Sequence, residues 1–312
     1  MGGSGSGYDA PPRRSPGGFG RLVERAGGGA ERASYEAQVA AVLEEAVSEY
    51  SDRDAEAIRR HVETLKKAIE SDVGGTVDLL LGGSTQKQTY VNGLSDVDLL
   101  ARIDDPSLVD RSAQEVLRRF AARIQRRLPN TEVTPGRLAV TVRYSDGHEL
   151  QVLPALRTGS GVRIPSPTGE GWSNVIRPEA FARKLTEVNR NCGNRVVPTI
   201  KLFKGAQESL PEAARLSGYH AESLGVQAFE GYEGRRVYKD MLVHLLRSAA
   251  EDVRTPIRDR TGQSIHVDDS MGAADSQTRQ RASSYIGRLA RRLEIADRER
   301  RIGEWEKIFG GW

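Results

Sequence analysis

Leu80-Leu81-Gly82-Gly83-Ser84-Thr85 and, eleven residues after Ser84, Ser95-Asp96-Val97-Asp98-Leu99-Leu100 decide how this chain is read. Thr76 to Leu81 has the length and apolar character of a short buried strand. The Gly-Gly-Ser turn after it lets backbone N–H groups and a hydroxyl approach a polyphosphate at a following helix N-terminus. Asp96 and Asp98 sit two apart in a second strand-like run, so both carboxylates point to one face while Val97 and Leu99 enter the core. Two carboxylates so close repel each other, and a cation between them resolves the repulsion. The pair of motifs therefore joins a phosphate-grasping turn to a divalent-metal site.

At 312 residues the chain is long enough for two lobes, each with its own core. Hydrophobic residues at 38% and charged residues at 29% describe a globular protein. No apolar run approaches the roughly 20 residues a bilayer span needs, so no membrane partner is expected. The net charge of +3 balances 46 basic against 43 acidic residues, which implies no general affinity for nucleic acid. Cys192 stands alone, excluding an internal disulfide and any multi-cysteine zinc module, and a reducing cytoplasm is the expected location. Residues 1–33 are rich in Gly, Pro, Ser and Arg without an apolar segment, and are expected to form a disordered tail.

Helical periodicity runs from Ser34 to about Ser71. Ser51 with Asp54 reads as a capping box, and Ile58, Val62, Leu65 and Ile69 fall on one face that should pack beneath a sheet. Ser107 to Leu128 is a second amphipathic helix, with Val109, Val116, Phe120 and Ile124 inward and arginines on the solvated side. Glu132-Val133, Arg137 to Tyr144, a Ser145-Asp146-Gly147 turn and His148 to Leu153 make a hairpin. From Pro178 the pattern is helical, at about 178–191, 194–208, 218–229, 235–252 and 276–297. The expected class is α+β: a mixed sheet with helices over 34–165, including an N-terminal spine helix, then a helical lobe over 166–312, with a cleft between them.

Gly82-Gly83-Ser84 with Ser95-Asp96-Val97-Asp98-Leu99 resembles the signature of the DNA polymerase β-like nucleotidyltransferase superfamily. Val152-Leu153-Pro154-Ala155, Trp172 with Pro178, Ile200-Lys201-Leu202-Phe203-Lys204 and Leu216-Ser217-Gly218-Tyr219-His220-Ala221-Glu222 are similar to segments of the cGAS/DncV-like nucleotidyltransferases, the bacterial antiphage oligonucleotide cyclases. The similarity runs from about Tyr35 to Ala296. It implies a bilobal enzyme in which two Mg²⁺ or Mn²⁺ ions, roughly 3.5 to 4 Å apart, bridge the aspartates and a triphosphate. A ribose hydroxyl of one NTP, with ATP expected among the substrates, would attack the α-phosphate of another and release pyrophosphate. A second cycle would close a cyclic di- or trinucleotide for a downstream nucleotide-activated effector.

On this reading Asp96 and Asp98 are metal ligands and catalytic, and Gly83 and Ser84 hold the β- and γ-phosphates; Ser84 also suits a helix N-cap. Lys201 and Lys204 are three apart on one helix face and can reach triphosphate oxygens, with Lys204 favoured by the family motif. The family tract Ser-Ser-Tyr reads Ser217-Gly218-Tyr219 here, leaving Ser217 or the Gly218 N–H for phosphate and Tyr219 for stacking on a base. His220 reads as a packed histidine, and Asp268 and Asp269 as capping or bracing residues.

One position departs from the family. The third catalytic carboxylate is expected three residues before Pro154, where this chain has Gln151. Gln ligates or orients but cannot accept the nucleophile's proton. Glu149 lies on the same strand face, roughly 6.6 Å away at about 3.3 Å per residue. Glu149 as a shifted third carboxylate and metal ligand, Gln151 as sufficient ligand in a slower enzyme, and nucleotide binding without turnover all remain open. Transfer of a nucleotide to RNA or protein is a further alternative, opposed by the lack of a separate basic or aromatic RNA-binding module. With no set of cysteines to build the zinc insertion of DNA-sensing relatives, no DNA activator is expected.

Overall fold

Alternating apolar residues build the sheet. The computed structural model describes residues 17–51, 55–70, 76–81, 87–89, 91, 97–104, 108, 111–166, 171–260 and 266–310. Strand β1 (Thr76–Leu81) runs antiparallel to β2 (Val97–Asp104), β2 runs parallel to β5 (Glu149–Thr158), and β5 continues through β4 (Val140–Arg143) to β3 (Glu132–Pro135) in antiparallel steps. A short β6 (Gly161–Arg163), absent from the sequence reading, folds back on the end of β5. Gly147, with φ of +90°, closes the β4–β5 hairpin, which is the left-handed backbone that glycine adopts most readily.

Leu99, Ala101, Ile103, Val140, Val142, Leu150 and Val152 share one sheet face and are buried against two helices. These are α2 (Ala55–Glu70), contributing Ile58, Leu65 and Ile69, and α3 (Ala113–Arg127), contributing Val116, Phe120 and Ile124. The face expected from the period of α2 is the one buried. α3 starts later than the expected 107, because Ser112 is its N-cap and accepts from the Glu115 N–H at 3.2 Å.

A second core gathers α4 (Pro178–Asn191), α5 (Val196–Gln207), α6 (Gly218–Phe229), α7 (Tyr238–Asp252), α8 (Gln277–Arg298) and α9 (Ile302–Phe309). Helix α1 (Gly17–Ser51) reaches back into the stretch expected to be a tail. It buries Tyr35, Val39, Leu43, Ala46 and Tyr50 in this helical core rather than against the sheet. Ser51 is not an N-cap: its hydroxyl donates to the Val47 carbonyl at 2.6 Å, within the last turn of α1, and Asp54 lies outside the described residues. Helix α9 was also unforeseen, and its Trp305 is fully buried.

Candidate active site

The sheet face away from α2 and α3 carries polar residues that the sequence analysis singled out. Parallel pairing sets Asp98 of β2 beside Gln151 of β5, and Thr141 of β4 is the next partner across from Gln151. All three are half-buried, while their strand neighbours Leu99, Val140, Leu150 and Val152 are core. Further along the same face Leu100 and Leu153 are covered by Ala155, Val162, Ile164 and Ile176, so the polar residues stand at the less covered end. β1 ends at Leu81, opposite Leu99, the residue after Asp98 on β2. Gly83, Ser84 and Asp96 lie outside the described residues.

Glu149 does share the face of Gln151, but it is the register partner of Arg143 rather than of Asp98. Arg143 donates through Nε at 3.1 Å and Nη2 at 2.7 Å to Glu149 Oε2, and through Nη1 at 3.0 Å to Glu132. The carboxylate expected to replace the missing one is thus already held by a guanidinium.

Opposite the sheet, Glu222 of α6 is the centre of a buried polar cluster. It is 1% exposed and accepts from the Lys87 ammonium, the Thr89 hydroxyl and, at 2.7 Å, the Lys204 ammonium. Lys204 also donates to the Thr89 carbonyl at 2.9 Å. Burial alone would raise the Glu222 carboxyl; Lys87 and Lys204 outweigh it and hold it below the usual range. Burial pushes the Lys204 ammonium down, opposed by Glu222 and more weakly by the Asp98 charge.

The two lysines expected to share a task do not. Lys204 is buried in this cluster, bonded to the Thr89 carbonyl and to Glu222 of α6, whereas Lys201 donates to the Ser51 hydroxyl at 2.9 Å. Ser217 caps α6, accepting from the His220 N–H at 3.3 Å, and is exposed. Tyr219 is half-buried. Its hydroxyl donates to Asp259 at 2.8 Å, its ring meets Phe181 edge-on at 5.0 Å, and Lys87 lies 5.1 Å from its centroid. A cavity of about 880 Å³ opens beside it, lined by Phe181, Asp259 and the cations Arg177, Arg183, Lys184 and Arg258. His220 is buried and pushed down to about 4 by burial, next to Asp268, which is clamped by Arg279.

Lys87, Thr89, Phe181, Glu222 and Asp259 were not singled out by role from sequence. One signal was there for Glu222: a carboxylate within Ala221-Glu222-Ser223-Leu224-Gly225-Val226 sits in a stretch too apolar for a surface helix, and a buried carboxylate requires cationic partners.

The profile of the Second Messenger Oligonucleotide or Dinucleotide Synthetase domain (SMODS) matches residues 36–189. A cyclic AMP-AMP-AMP synthase of Acinetobacter sp. is 29% identical over 175 residues, 54% of this chain and 46% of that relative. The match thus spans about half the length of the curated relative. Among solved structures, the CD-NTase CdnG of Bradyrhizobium diazoefficiens in complex with GTP superposes with a TM-score of 0.68 at 16% identity, covering 87% of this chain and 95% of that one. CdnC of E. coli with ATP gives 0.63 at 16% identity over 82% and 90% of the two chains. The cyclic AMP-GMP synthase DncV of Vibrio cholerae gives 0.61 at 12% identity over 92% and 90%. At these identities the structural matches speak to the fold. They agree with a mixed sheet followed by a helical region.

Proposed function

We infer, from a chain that belongs to the cGAS/DncV-like nucleotidyltransferases, that this protein joins NTPs into a cyclic di- or trinucleotide messenger with release of pyrophosphate. The observation that carries this reading is the placement of Asp98 beside Gln151 on the sheet face not packed by α2 and α3, at the end where β1 leads into Gly82-Gly83-Ser84. Asp96 and Asp98 serve as metal ligands, and Gly83 and Ser84 as holders of the triphosphate. The donor set at Asp98 and Gln151 is one of oxygens, which fits a hard divalent cation such as Mg²⁺ or Mn²⁺. When bound, such ions polarise the α-phosphate and stabilise the attacking and leaving oxygens.

The chain's own residues then orient. Gln151 would offer its amide oxygen to the same cation and cannot take a proton. Lys204 and Glu222 fix the Lys87–Thr89 segment that follows the proposed phosphate turn, and Lys87 lies 5.1 Å from the Tyr219 ring centroid. Tyr219, fixed by Asp259, offers its ring to a base, with Ser217 and the Gly218 N–H toward phosphate and Lys201 at the margin. ATP is proposed among the substrates from the resemblance to the Acinetobacter synthase, and the product would serve antiphage signalling through a nucleotide-activated effector, without a DNA activator. No described helix is long and apolar enough to cross a membrane.

A second reading, nucleotide binding without turnover, is favoured by one observation: Gln151 is neutral and Glu149 is engaged by Arg143. Incubation with single NTPs and mixtures in Mg²⁺ or Mn²⁺ separates the two. A phosphatase-resistant small product with stoichiometric pyrophosphate, lost in Asp98→Asn, supports the synthase; saturable NTP binding with no pyrophosphate supports the second reading and overturns the first.

A further inference from the structure

On the helix-covered side of the sheet, a second group of donors converges. His61 projects from the middle of α2, and Asp146 and His148 come from the turn that joins β4 to β5. His61 Nε2 lies 2.7 Å from Asp146 Oδ2, and His148 Nδ1 lies 3.2 Å from Asp146 Oδ1. One donor atom from each of the three residues falls within 4.8 Å of the others. A zinc bond of about 2.0 to 2.2 Å places tetrahedral donors roughly 3.4 Å apart, inside that spread.

The group is held in place by its surroundings. The His61 ring stacks on Tyr144 with centroids 3.7 Å apart, and the Tyr144 hydroxyl donates to the His61 carbonyl at 3.4 Å. The His148 N–H donates to Asp146 Oδ1 at 3.2 Å, and the Tyr144 N–H donates to the His148 carbonyl at 2.8 Å. His148 Nδ1, by contrast, is buried and is aligned with no hydrogen-bond partner. A buried imidazole nitrogen that meets a carboxylate oxygen at 3.2 Å without hydrogen-bond alignment is poorly satisfied, and coordination to a cation would satisfy it.

We propose that His61, Asp146 and His148 form a transition-metal site of zinc type, with two imidazole nitrogens, one carboxylate oxygen and a fourth position for water. It is separate from the cation site proposed at Asp98. Alternation along the strand gives His148 the parity of the core residue Leu150, whereas Glu149 and Gln151 take the other side. The donor chemistry differs as well, because imidazole favours zinc, nickel or copper over Mg²⁺. A metal here would pin the hairpin to α2 at the start of β5, the strand that carries Glu149 and Gln151.

The test uses the untagged full chain, stripped by chelator and held in excess Mg²⁺ so that the oxygen site is saturated. Co²⁺ is the probe. The expected result is one equivalent bound, with visible absorption from nitrogen ligation, displaced by equimolar Zn²⁺, and a thermal midpoint raised by Zn²⁺. His61→Gln and His148→Gln each lose that absorption and bind Zn²⁺ at least about tenfold more weakly, with unchanged circular dichroism. Should either variant fail to fold, Asp146→Asn is read in the same way. Absence of the cobalt spectrum in the unaltered chain, or equal binding in the folded variants, overturns the proposal.

Discussion

Asp98 is the register partner of Gln151, whereas Glu149 is the register partner of Arg143 and is bound by it. A carboxylate introduced at 151 would therefore stand beside Asp98 with no competing guanidinium opposite it, since its other partner is Thr141. Gln151→Asp is expected to raise the rate of pyrophosphate release by about tenfold or more, the low end of what a positioned general base contributes being about a hundredfold. Glu149→Gln is expected to change that rate by less than about threefold, a difference worth under ~0.7 kcal/mol. A collapse in Glu149→Gln would instead show that Glu149 leaves Arg143 during turnover.

Glu222 pairs with two lysines at once. Glu222→Gln leaves the Lys87 and Lys204 ammonium groups facing each other across a neutral amide in a buried site. The expected loss of stability is about 3 kcal/mol or more, as for other buried ion pairs deprived of one partner. Chemical denaturation with an unchanged slope would measure it, and NTP affinity should fall in parallel if the segment before Lys87 holds phosphate as proposed.

His220 makes stability depend on pH. Its pKa lies at about 4 in the folded chain against 6.5 in the unfolded one, because burial and Arg279 disfavour the charged ring more than Asp268 favours it. Between these values the unfolded state binds more protons, so stability falls as pH drops from about 6.5 toward 4. The full window is worth roughly 3 kcal/mol. His220→Gln should flatten the slope of unfolding free energy against pH in this interval while leaving it intact below pH 4.

Gly205 of α5 lets α1 approach. A Cβ at this position would sit 2.3 Å from the Tyr50 hydroxyl oxygen and 2.5 Å from its ring carbon Cζ. Gly205→Ala must displace the Tyr50 ring, and a loss of about 1 to 3 kcal/mol is expected from overpacking. Tyr50→Phe combined with Gly205→Ala should recover part of it, which thermal unfolding of the double variant would show.

Gly218 has the opposite character. A Cβ there would lie 3.6 Å from Lys204 Nζ and 3.8 Å from its Cε, in ordinary contact. Gly218→Ser is expected to be accommodated within about 0.5 kcal/mol. It restores the second hydroxyl of the Ser-Ser-Tyr tract, and a lower KM for NTP in steady-state assays is the expected result.

Local patterning made much of this legible. Period-two alternation in Val140–Val142 and Leu150–Val152 and the helical stripe Ile58–Leu65–Ile69 named the sheet core correctly, because each pattern is a direct projection of one buried face. The partners of charged groups were not legible. That Lys204 turns inward to Glu222, that Lys201 reaches Ser51 and that Arg143 takes Glu149 depend on which strands and helices meet, and spacing along the chain is silent on that. The Gly-rich start of α1, expected as a tail, is helical from Gly17 for a related reason. Its composition looks unfoldable alone, while Tyr35, Val39 and Leu43, just beyond it, find their burial in a core assembled from residues far downstream.

That dependence has a temporal side. The Tyr35 hydroxyl donates to the Ala296 carbonyl at 3.2 Å, and the Trp305 indole donates to Tyr35 at 2.9 Å, contacts separated by 261 and 270 positions. A growing chain can close the sheet core as soon as residue 156 has emerged, since every buried member of that cluster lies between Ile58 and Leu156. The helical core must wait for Trp305. On the ribosome the strands bearing Asp98 and Gln151 thus assemble first, and the helices bearing Glu222 and Tyr219 lock against α1 only when synthesis has nearly finished. Until then the first helix made waits for the last one.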